Sequence, residues 1–467
     1  MSDTVSEAQV AIFNSRAAAE EPKCAAIPRV QVFLDVSRLC TRIFRSAPTG
    51  IDRVEFAYAN ASARVEGMEV SSVMTAPFAT GTIRRERIDQ ILTQLARIWG
   101  LDRTPADDAV YQRLKAHLEA PVDPDRSAGL RLRGPSTVDL IRREIIFPLR
   151  DFVRLGVRLR RQIGRAADRP MVYLHVSHTQ LNQPRRFAWL RRFNVPAVFF
   201  VHDVIPIDYP EYCSPGSRER HLDRIKHVSE LATLVVVNSH YTAQVLEAHL
   251  RQRNWRTPPI RVVPLGVDGW FLDRKRLEPP AKGPPYALCV STIEPRKNHA
   301  FLLALWRRLI ERMGVGAPRL VLVGRRGWEN ENVIDLLERS RTLAPHVVEV
   351  TDLSDAGLAS LMAGAQVLLA PSFVEGFGLP LAESLALGVP VIASDIAAHR
   401  EVGQGCATLL DPLDGAGWLQ AICNHFDPQS DARAAALSRA ARYRPVTWSE
   451  HVEHSLELVM AAARAHF

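Results

Sequence analysis

The most informative segment of the sequence is Ser372-Phe373-Val374-Glu375-Gly376-Phe377-Gly378-Leu379-Pro380-Leu381-Ala382-Glu383. The apolar residues 367–370 precede it and predict a buried strand, whereas residues 384–388 complete a short helix that ends at a glycine. Pro380 fits the first helical turn, because its missing N–H would have no partner there. The stretch therefore predicts a strand, a glycine-rich loop that carries Glu375, and a helix that carries Glu383 one turn inside.

The start of this predicted helix is suited to bind phosphate. Its first backbone N–H groups have no partner within the helix, and the positive end of the helix dipole points the same way. The two flanking carboxylates can accept hydrogen bonds from sugar hydroxyls. The pattern is typical of a sugar-nucleotide site, although glycine-rich turns between a strand and a helix also occur without any ligand.

Length and composition favour a globular protein of two domains. The chain has 467 residues, of which 47% are hydrophobic and 24% are charged. It contains no run of about 18 apolar residues that would predict a membrane-spanning helix. The first residues lack the basic and apolar segments of a signal peptide, and the six cysteines form no C-x-x-C pair. We therefore expect a cytoplasmic protein, with residues 1–27 as a disordered tail.

Apolar runs that alternate with helical patterns predict two doubly wound parallel sheets. A proline-rich linker at residues 278–285 separates the two sets of runs. We expect a first domain at 28–277, a second at 278–446 and a final helix at 447–467 that packs back on the first domain. The predicted strands are 30–36, 171–176, 197–202 and 234–237 in the first domain, and 286–290, 320–324, 346–350, 365–370 and 389–393 in the second.

Other candidate residues stand at the ends of predicted strands, where ligands bind in such folds. Arg296 and Lys297 lie between a strand and a helix and could neutralise a diphosphate; alternatively they form a solvated charge pair. His202 ends another strand and is either a site residue or a structural histidine. The loop at residues 323–328 could bound a nucleobase pocket or form an ordinary turn.

These motifs occur in the order found in a known family. The sequence T-I-E-P-R-K-N, then V-G-x-x-G, D-L-S-D and A-P-S-x-x-E-G-F-G-L-P-x-x-E resembles retaining glycosyltransferases of family four, which have the GT-B fold. The resemblance covers nearly all of residues 286–411. It is looser in the first half, at T-G-I-D-R-V, V-H-D-V-I-P, V-N-S-H-Y-T and V-V-P-L-G-V-D. The motifs T-I-E-P-R-K-N and H-D-x-I-P are most similar to those of mannosyltransferases of bacterial polysaccharide assembly.

The resemblance implies an α/β fold of two Rossmann-like domains facing across a cleft, the first binding the acceptor and the second the nucleotide sugar. It implies that Glu375 contacts the donor sugar, that Glu383 holds the ribose, and that Arg296 and Lys297 bind the diphosphate. His202 would lie beside the reacting sugar. The implied catalytic residues are His202, Glu375, Arg296 and Lys297; the implied donor-binding residues are Gly50, Arg296, Lys297, Glu375, Gly376, Phe377, Gly378, Leu379 and Glu383.

The expected activity is transfer of mannose from GDP-mannose, with retained configuration, onto a saccharide or lipid-linked saccharide in polysaccharide biosynthesis. No Asp-x-Asp motif stands at a suitable strand end, so we expect neither a metal nor another cofactor. The alternatives are a transferase that uses UDP-sugars, a GT-B sugar-nucleotide epimerase, and a non-catalytic binding protein. Nucleic-acid binding is not expected, because no aromatic residues alternate with the basic ones.

The basic residues are concentrated in residues 131–169. Eleven arginines there stand against four acidic residues, an excess of +7 in a chain whose net charge is +8. Apolar residues at 149, 152, 159 and 163 lie opposite Arg143, Arg150, Arg154, Arg158, Arg161 and Arg165 on a predicted helix that starts near Pro148. Such a helix either binds an anionic membrane surface, on the inner face of the membrane, or packs on the core with a solvated arginine face.

Overall fold

The computed structural model describes residues 29–43, 45, 47–61, 65–75, 80–134 and 155–467. Two seven-stranded sheets organise these residues. Each sheet is buried on both faces, as parallel sheets usually are. The predicted pair of doubly wound parallel domains is thereby confirmed.

The first sheet has the strand order β3-β2-β1-β5-β6-β7-β8, and only β3 runs antiparallel to its neighbour. Consecutive side chains of a strand point to opposite faces, so Val32 and Phe33 enter two different apolar clusters. The strands are β1 (Val30–Asp35), β2 (Met68–Thr75), β3 (Thr80–Thr82), β5 (Met171–His175), β6 (Ala197–Val201), β7 (Ala232–Val237) and β8 (Ile260–Val262).

Helices connect and cover these strands. They are α1 (Ser37–Arg42), α2 (Gly50–Ala61), α3 (Arg85–Trp99), α4 (Ala109–Glu119), α5 (Leu155–Arg165), α6 (Ala188–Arg192), α7 (Ile205–Asp208), α8 (Ser217–Leu231) and α9 (His240–Gln252). The carboxyl ends of β1, β5 and β6 meet at the edge of the sheet that faces the second domain, which is where the polar side chains of the first domain gather.

The second sheet has the order β14-β13-β12-β9-β10-β11-β4 and is parallel throughout. Its later strands are β9 (Tyr286–Val290), β10 (Arg319–Val323), β11 (Val347–Val350), β12 (Val367–Ala370), β13 (Val391–Ser394) and β14 (Thr408–Leu410). Its helices are α10 (His299–Met313), α11 (Glu331–Arg339), α12 (Asp355–Gly364), α13 (Leu379–Ala386), α14 (Ala397–Gly403), α15 (Gly415–Phe426) and α16 (Asp431–Ala440).

One strand of the second sheet comes from the first half of the chain. Strand β4 (Leu130–Leu132) pairs in parallel with β11, with Leu130 opposite Val348 and Leu132 opposite Val350. The assignment of all residues 28–277 to the first domain was therefore wrong for this segment. The strand has only three residues, and the arginine at its centre pairs with Glu349. Its sequence therefore contains no apolar run that would predict a strand.

Helix α4 is anchored to the second domain by a buried arginine. The guanidinium of Arg319, at the start of β10, donates from Nη1 to the carbonyls of His117 and Leu118 at 2.9 and 2.8 Å. Its Nη2 donates to the carbonyl of Ala120 at 2.8 Å. A cation thus binds carbonyls at the end of a helix, where the dipole is negative.

The last helix, α17 (Trp448–His466), returns to the first domain. Its start is fixed by a reciprocal capping box between Thr447 and Glu450. Tyr58 of α2 donates to Ser455 at 2.6 Å and lies 3.1 Å from Nε2 of His451. Each domain therefore contains an element supplied by the other half of the chain.

The basic segment is described only in part. In α5, Leu159 and Ile163 are buried in the first-domain core, while Arg160, Arg161 and Arg165 are exposed. The tail at 1–27 and the predicted helix start with Arg143, Pro148, Arg150 and Arg154 lie outside the described residues. Among the described residues, no helix is both long and apolar enough to cross a bilayer.

We expect Arg319→Met to lower the free energy of unfolding of the second domain by about 3 kcal/mol, because buried carbonyls lose a charged donor. Methionine keeps the apolar stem, so cavity formation is small. Urea denaturation monitored by tryptophan fluorescence measures the change. Arg307→Met is the matched control, since this arginine is exposed and should change stability by no more than about 0.5 kcal/mol. Equal effects of the two substitutions would contradict the anchoring role.

Candidate active site

Glu375 lies between two cations in the loop after β12. Its Oε2 accepts from Nη1 of Arg296 at 2.7 Å, and its Oε1 accepts from Lys297 and from Ser372 Oγ, the latter at 2.8 Å. Burial would raise the pKa of this carboxyl, but Lys297 and Arg296 together hold the pKa well below its usual range. The carboxylate is therefore ionised at neutral pH.

Arg296 connects the loops after β9 and β12. Its Nε lies 2.6 Å from Glu294, while Nη1 bonds Glu375, so that one guanidinium is shared by two carboxylates. The backbone N–H of Phe373 donates to the carbonyl of Arg296 at 2.8 Å. Because β9 and β12 are neighbours in the sheet, these two loops meet at the same edge.

Helix α13 begins beside this cluster. Gly378 is its N-terminal flanking residue, with a φ of 101° that favours glycine, and no side chain caps the helix. Gly376, Phe377 and Leu379 complete the loop and the first turn. The predicted glycine-rich loop and helix are thus present in the predicted places, with Glu383 on the second turn.

His399 is a site residue that the sequence analysis missed. It is buried at the start of α14, and its Nδ1–H donates to the carbonyl of Ser394 at 2.9 Å. Burial lowers the pKa of His399, so its Nε2 carries a lone pair. With Lys297, Glu375 and Gly378 it lines a cavity of about 20 Å³, the room of one water molecule. No sequence motif marks His399 as a site residue; it is recognised only because α14 packs beside α13 in the structure.

Glu383 is a buried carboxyl on the second turn of α13. Burial raises its pKa to about 8, against the opposing attraction of Arg53. Arg53, on α2 of the first domain, forms a two-bond ion pair across the cleft with Asp355 at the start of α12. Asp355 and Asp268 add like charge near Glu383 and also favour its neutral form.

A larger cavity of about 330 Å³, which we call the tryptophan cavity, lies beside these charges. Both domains contribute to it. Its polar lining includes Arg53, Asp268 and Asp355, and Asp268 has a pKa raised by burial. Its aromatic lining consists of Phe56, Trp99, Trp270 and Trp448.

The loop at residues 323–328 makes other contacts. Arg325 pairs with Asp352, Arg326 pairs with Glu349, and the indole N–H of Trp328 donates to the carbonyl of Tyr212 at 2.9 Å. None of these loop residues lines the tryptophan cavity. The nucleobase pocket expected at this loop stays a prediction.

His202 ends β6 and faces the cleft edge of the first domain. Its Nε2–H donates to the carbonyl of Val176 at 2.9 Å, which leaves Nδ1 as an acceptor. Burial lowers its pKa to about 4, so the ring is neutral at pH 7. A methyl group on Gly376 would lie 2.5 Å from the carbonyl oxygen of His202, so the structure brings His202 and the Glu375 loop into direct contact.

Gly50 begins α2 on the opposite wall. The turn before it is fixed by Asp52, which accepts from the N–H and hydroxyl of Thr49 and also binds Arg38 and Arg42. A methyl group on Gly50 would meet no protein atom within 4 Å. Gly50 thus has open space beside it, whereas the other site glycines are closely packed. No group of three or more His, Cys, Asp or Glu residues that could hold a metal occurs in the described ranges.

We expect Glu383→Gln to remove a pH dependence from the stability of the free protein. Below about pH 4.5 the carboxyl is protonated in both states; between pH 4.5 and 8 only the unfolded chain ionises, so the wild type loses stability as pH rises. The slope should approach about 1.4 kcal/mol per pH unit. Thermal melts from pH 5 to 9 should show the variant gaining on the wild type. The exposed Glu457→Gln should show no such gain, and a parallel pair of curves for Glu383→Gln would contradict the raised pKa.

Models of known families match both halves of the chain. A model described as glycosyl transferases group 1 matches residues 284–427, and one described as Glycosyltransferase Family 4 matches residues 111–269. The chain is 31% identical to O-antigen chain mannosyltransferase B of Escherichia coli over 297 residues, which is 58% of this chain and 75% of that protein. It is also 31% identical to the serotype-specific mannosyltransferase WbdA of Escherichia coli over 225 residues, 44% of this chain but only 27% of WbdA.

Among solved structures, Anabaena HepE in complex with UDP-glucose aligns with a TM-score of 0.56 and 16% identity, covering 92% of this chain and 99% of HepE. At this identity the likeness concerns the fold alone, and it confirms the predicted GT-B architecture. The matched sequence includes the Glu375 loop and the strand that ends at His202. The chain belongs to glycosyltransferase family four and is a GT-B glycosyltransferase.

Proposed function

We propose that the protein transfers mannose from GDP-mannose to a saccharide or lipid-linked saccharide during polysaccharide biosynthesis, with retained anomeric configuration and without a metal ion. The names of its relatives, which are polysaccharide and phosphatidyl-myo-inositol mannosyltransferases, support the sugar and the process. The UDP-glucose bound by HepE supports a nucleotide-sugar donor.

One observation carries the proposal: Arg296 and Lys297 converge on a single carboxylate beside the uncapped start of α13. Two cations and a helix N-terminus form a strongly positive spot at the end of the strands. A diphosphate fits this spot in charge and in its need for several donors. As the sugar departs, the same groups stabilise the negative charge that develops on the diphosphate. This fixed positive charge does the work that a divalent ion does elsewhere.

The neighbouring acceptors would hold the donor sugar. Glu375 is held ionised by its cations, so it accepts hydrogen bonds from sugar hydroxyls. His202 is neutral and offers Nδ1 as an acceptor, not a proton, so we assign it to orienting the sugar. Retention follows when the acceptor hydroxyl attacks from the face that the diphosphate leaves, and a phosphate oxygen takes its proton.

Glu383 and the tryptophan cavity would bind the nucleoside. Ribose hydroxyls would donate hydrogen bonds to the buried carboxyl of Glu383. The aromatic walls can stack on a base, and Asp268 or Asp355 can accept from the two adjacent N–H groups of guanine. Uracil has one such N–H, which is why we propose a GDP-sugar in preference to a UDP-sugar.

The function is tested by screening GDP- and UDP-sugars for thermal stabilisation and transfer. We expect GDP-mannose to raise the melting temperature, because a ligand at 100 times its Kd adds about 2.7 kcal/mol to stability. Transfer should proceed with a chelator present, and NMR should show a retained anomeric configuration. Lys297→Ala should weaken the binding of GDP-mannose by about 1.5–3 kcal/mol. The substitution Lys282→Ala, in the exposed linker, should leave this binding unchanged. Stabilisation by UDP-mannose alone would overturn the GDP-sugar donor, and an inverted product would overturn retention. Loss of activity with a chelator and its recovery with manganese would overturn metal independence.

We also propose that α5 helps dock the protein on an anionic membrane that carries the acceptor. Its apolar residues Leu159 and Ile163 are used in the core, so only the exposed face is available for binding. That face carries Arg160, Arg161 and Arg165. The interaction would be electrostatic and weakened by salt.

Replacing Arg160, Arg161 and Arg165 by glutamine should weaken binding to phosphatidylglycerol vesicles by about two orders of magnitude, since each contributes about 1 kcal/mol near the surface. Vesicle sedimentation at low salt measures this. Glutamine at Arg307, Arg308 and Arg312 of α10 is the matched control of equal charge. The docking proposal fails if the wild type ignores the vesicles or if both triple variants lose binding equally.

A further inference from the structure

The N-terminus of α9 joins the two halves of the site. Ser239 flanks this helix and accepts the N–H of Thr242 at 3.1 Å. The Ser239 hydroxyl donates across the cleft to the carbonyl of Gly376 at 2.8 Å, and the Thr242 hydroxyl reaches the same oxygen at 3.4 Å. Both side chains are completely buried. A first-domain helix thus holds the backbone next to Glu375.

The preceding residue holds the other half. The amide of Asn238 donates to the carbonyl of His202 at 2.9 Å. Adjacent residues therefore bind the carbonyls of His202 and Gly376, and Gly376 packs against the carbonyl of His202. This arrangement fixes the relative position of the two loops more closely than the contact alone.

A charged group completes the connection. Glu401, on α14 of the second domain, accepts from the backbone N–H groups of His240 and Tyr241 at 2.7 and 3.2 Å. These are first-turn donors that have no partner within α9. An anion at this end also interacts favourably with the helix dipole. The second domain thus supplies the carboxylate that binds the helix start of the first.

We propose that Ser239 and Glu401, assisted by Asn238 and Thr242, are positioning residues that set the Glu375 loop in register with His202 when the domains close. The inference rests on the proposed function, in which these two residues act on the donor sugar. Ser239 and Glu401 act through the protein backbone. The diphosphate and ribose contacts are assigned to Arg296, Lys297 and Glu383, which all lie in the second domain, so binding of the nucleotide should depend on this connection less than turnover does.

Ser239→Gly and Glu401→Gln test this in the full chain. Glycine is nearly as good as serine at the helix start, so the substitution removes the bond to Gly376 with little loss of helix stability. Glutamine keeps the size of Glu401 but removes its charge. We expect kcat to fall at least tenfold in each variant, GDP affinity by calorimetry to stay within threefold, and the radius of gyration from X-ray scattering to rise. Ser430→Gly is the matched control, since Ser430 flanks α16 and bonds Arg433 N–H within one domain.

The proposal is overturned if both variants keep kcat within twofold and scatter like the wild type. It is also overturned if nucleotide affinity and kcat fall together by the same factor, because the residues would then serve the fold of the binding site. If the wild type neither binds nor uses any nucleotide sugar, the proposed function fails instead. The scattering comparison of the variants with the wild type and with Ser430→Gly still decides whether these contacts close the domains.

Discussion

The site depends on the need to balance charge in a buried place. Arg296, Lys297 and Glu375 are each costly to bury alone, and together they form a compact group in which one carboxylate offsets part of the charge of two cations. The group can form only because β9 and β12 are adjacent and parallel, so that their carboxyl ends open at one point. An anionic substrate must compete with Glu375 for the same two cations. Under the proposed function, the strength of this competition would set how readily the donor enters and the diphosphate leaves.

The rest of the cleft adjusts to that group. Glu294 shares Arg296, the start of α13 points at the cluster, and His399 covers it from α14 without adding charge. On the second turn of α13, Glu383 meets the opposite condition, with carboxylates nearby and one arginine already paired to Asp355. Two glutamates eight positions apart thus have pKa values shifted in opposite directions. Glu375 is suited to a permanent negative charge, and Glu383 is suited to becoming negatively charged when hydroxyl donors bind to it.

The sequence predicted the parts of this structure that repeat a local pattern. Apolar runs located the central strands of both sheets, and glycine, proline and the glutamates located the loop and helix around Glu375. It did not predict β4, because a three-residue edge strand with a central arginine has no distinctive pattern. His399 was missed because it reaches the Glu375 loop only through the packing of α14 beside α13 within the second domain. The tryptophan cavity was missed because its members are far apart in sequence and come from both domains. The membrane role of the basic segment stays a prediction.

Strand β4 belongs to the first half of the chain but pairs in the second sheet. Cutting the chain at its linker therefore cannot yield two complete domains. A fragment that begins at residue 278 would contain the later strands and helices of the second domain but would lack β4, which pairs with β11. Val347, Val348 and Val350 would then present an unpaired, β-prone edge, and Glu349 would lose its partner Arg131. Open edges of this kind recruit other chains. The apparent domain boundary is therefore a poor place to divide the protein, and the arrangement favours inheritance of both halves as one unit.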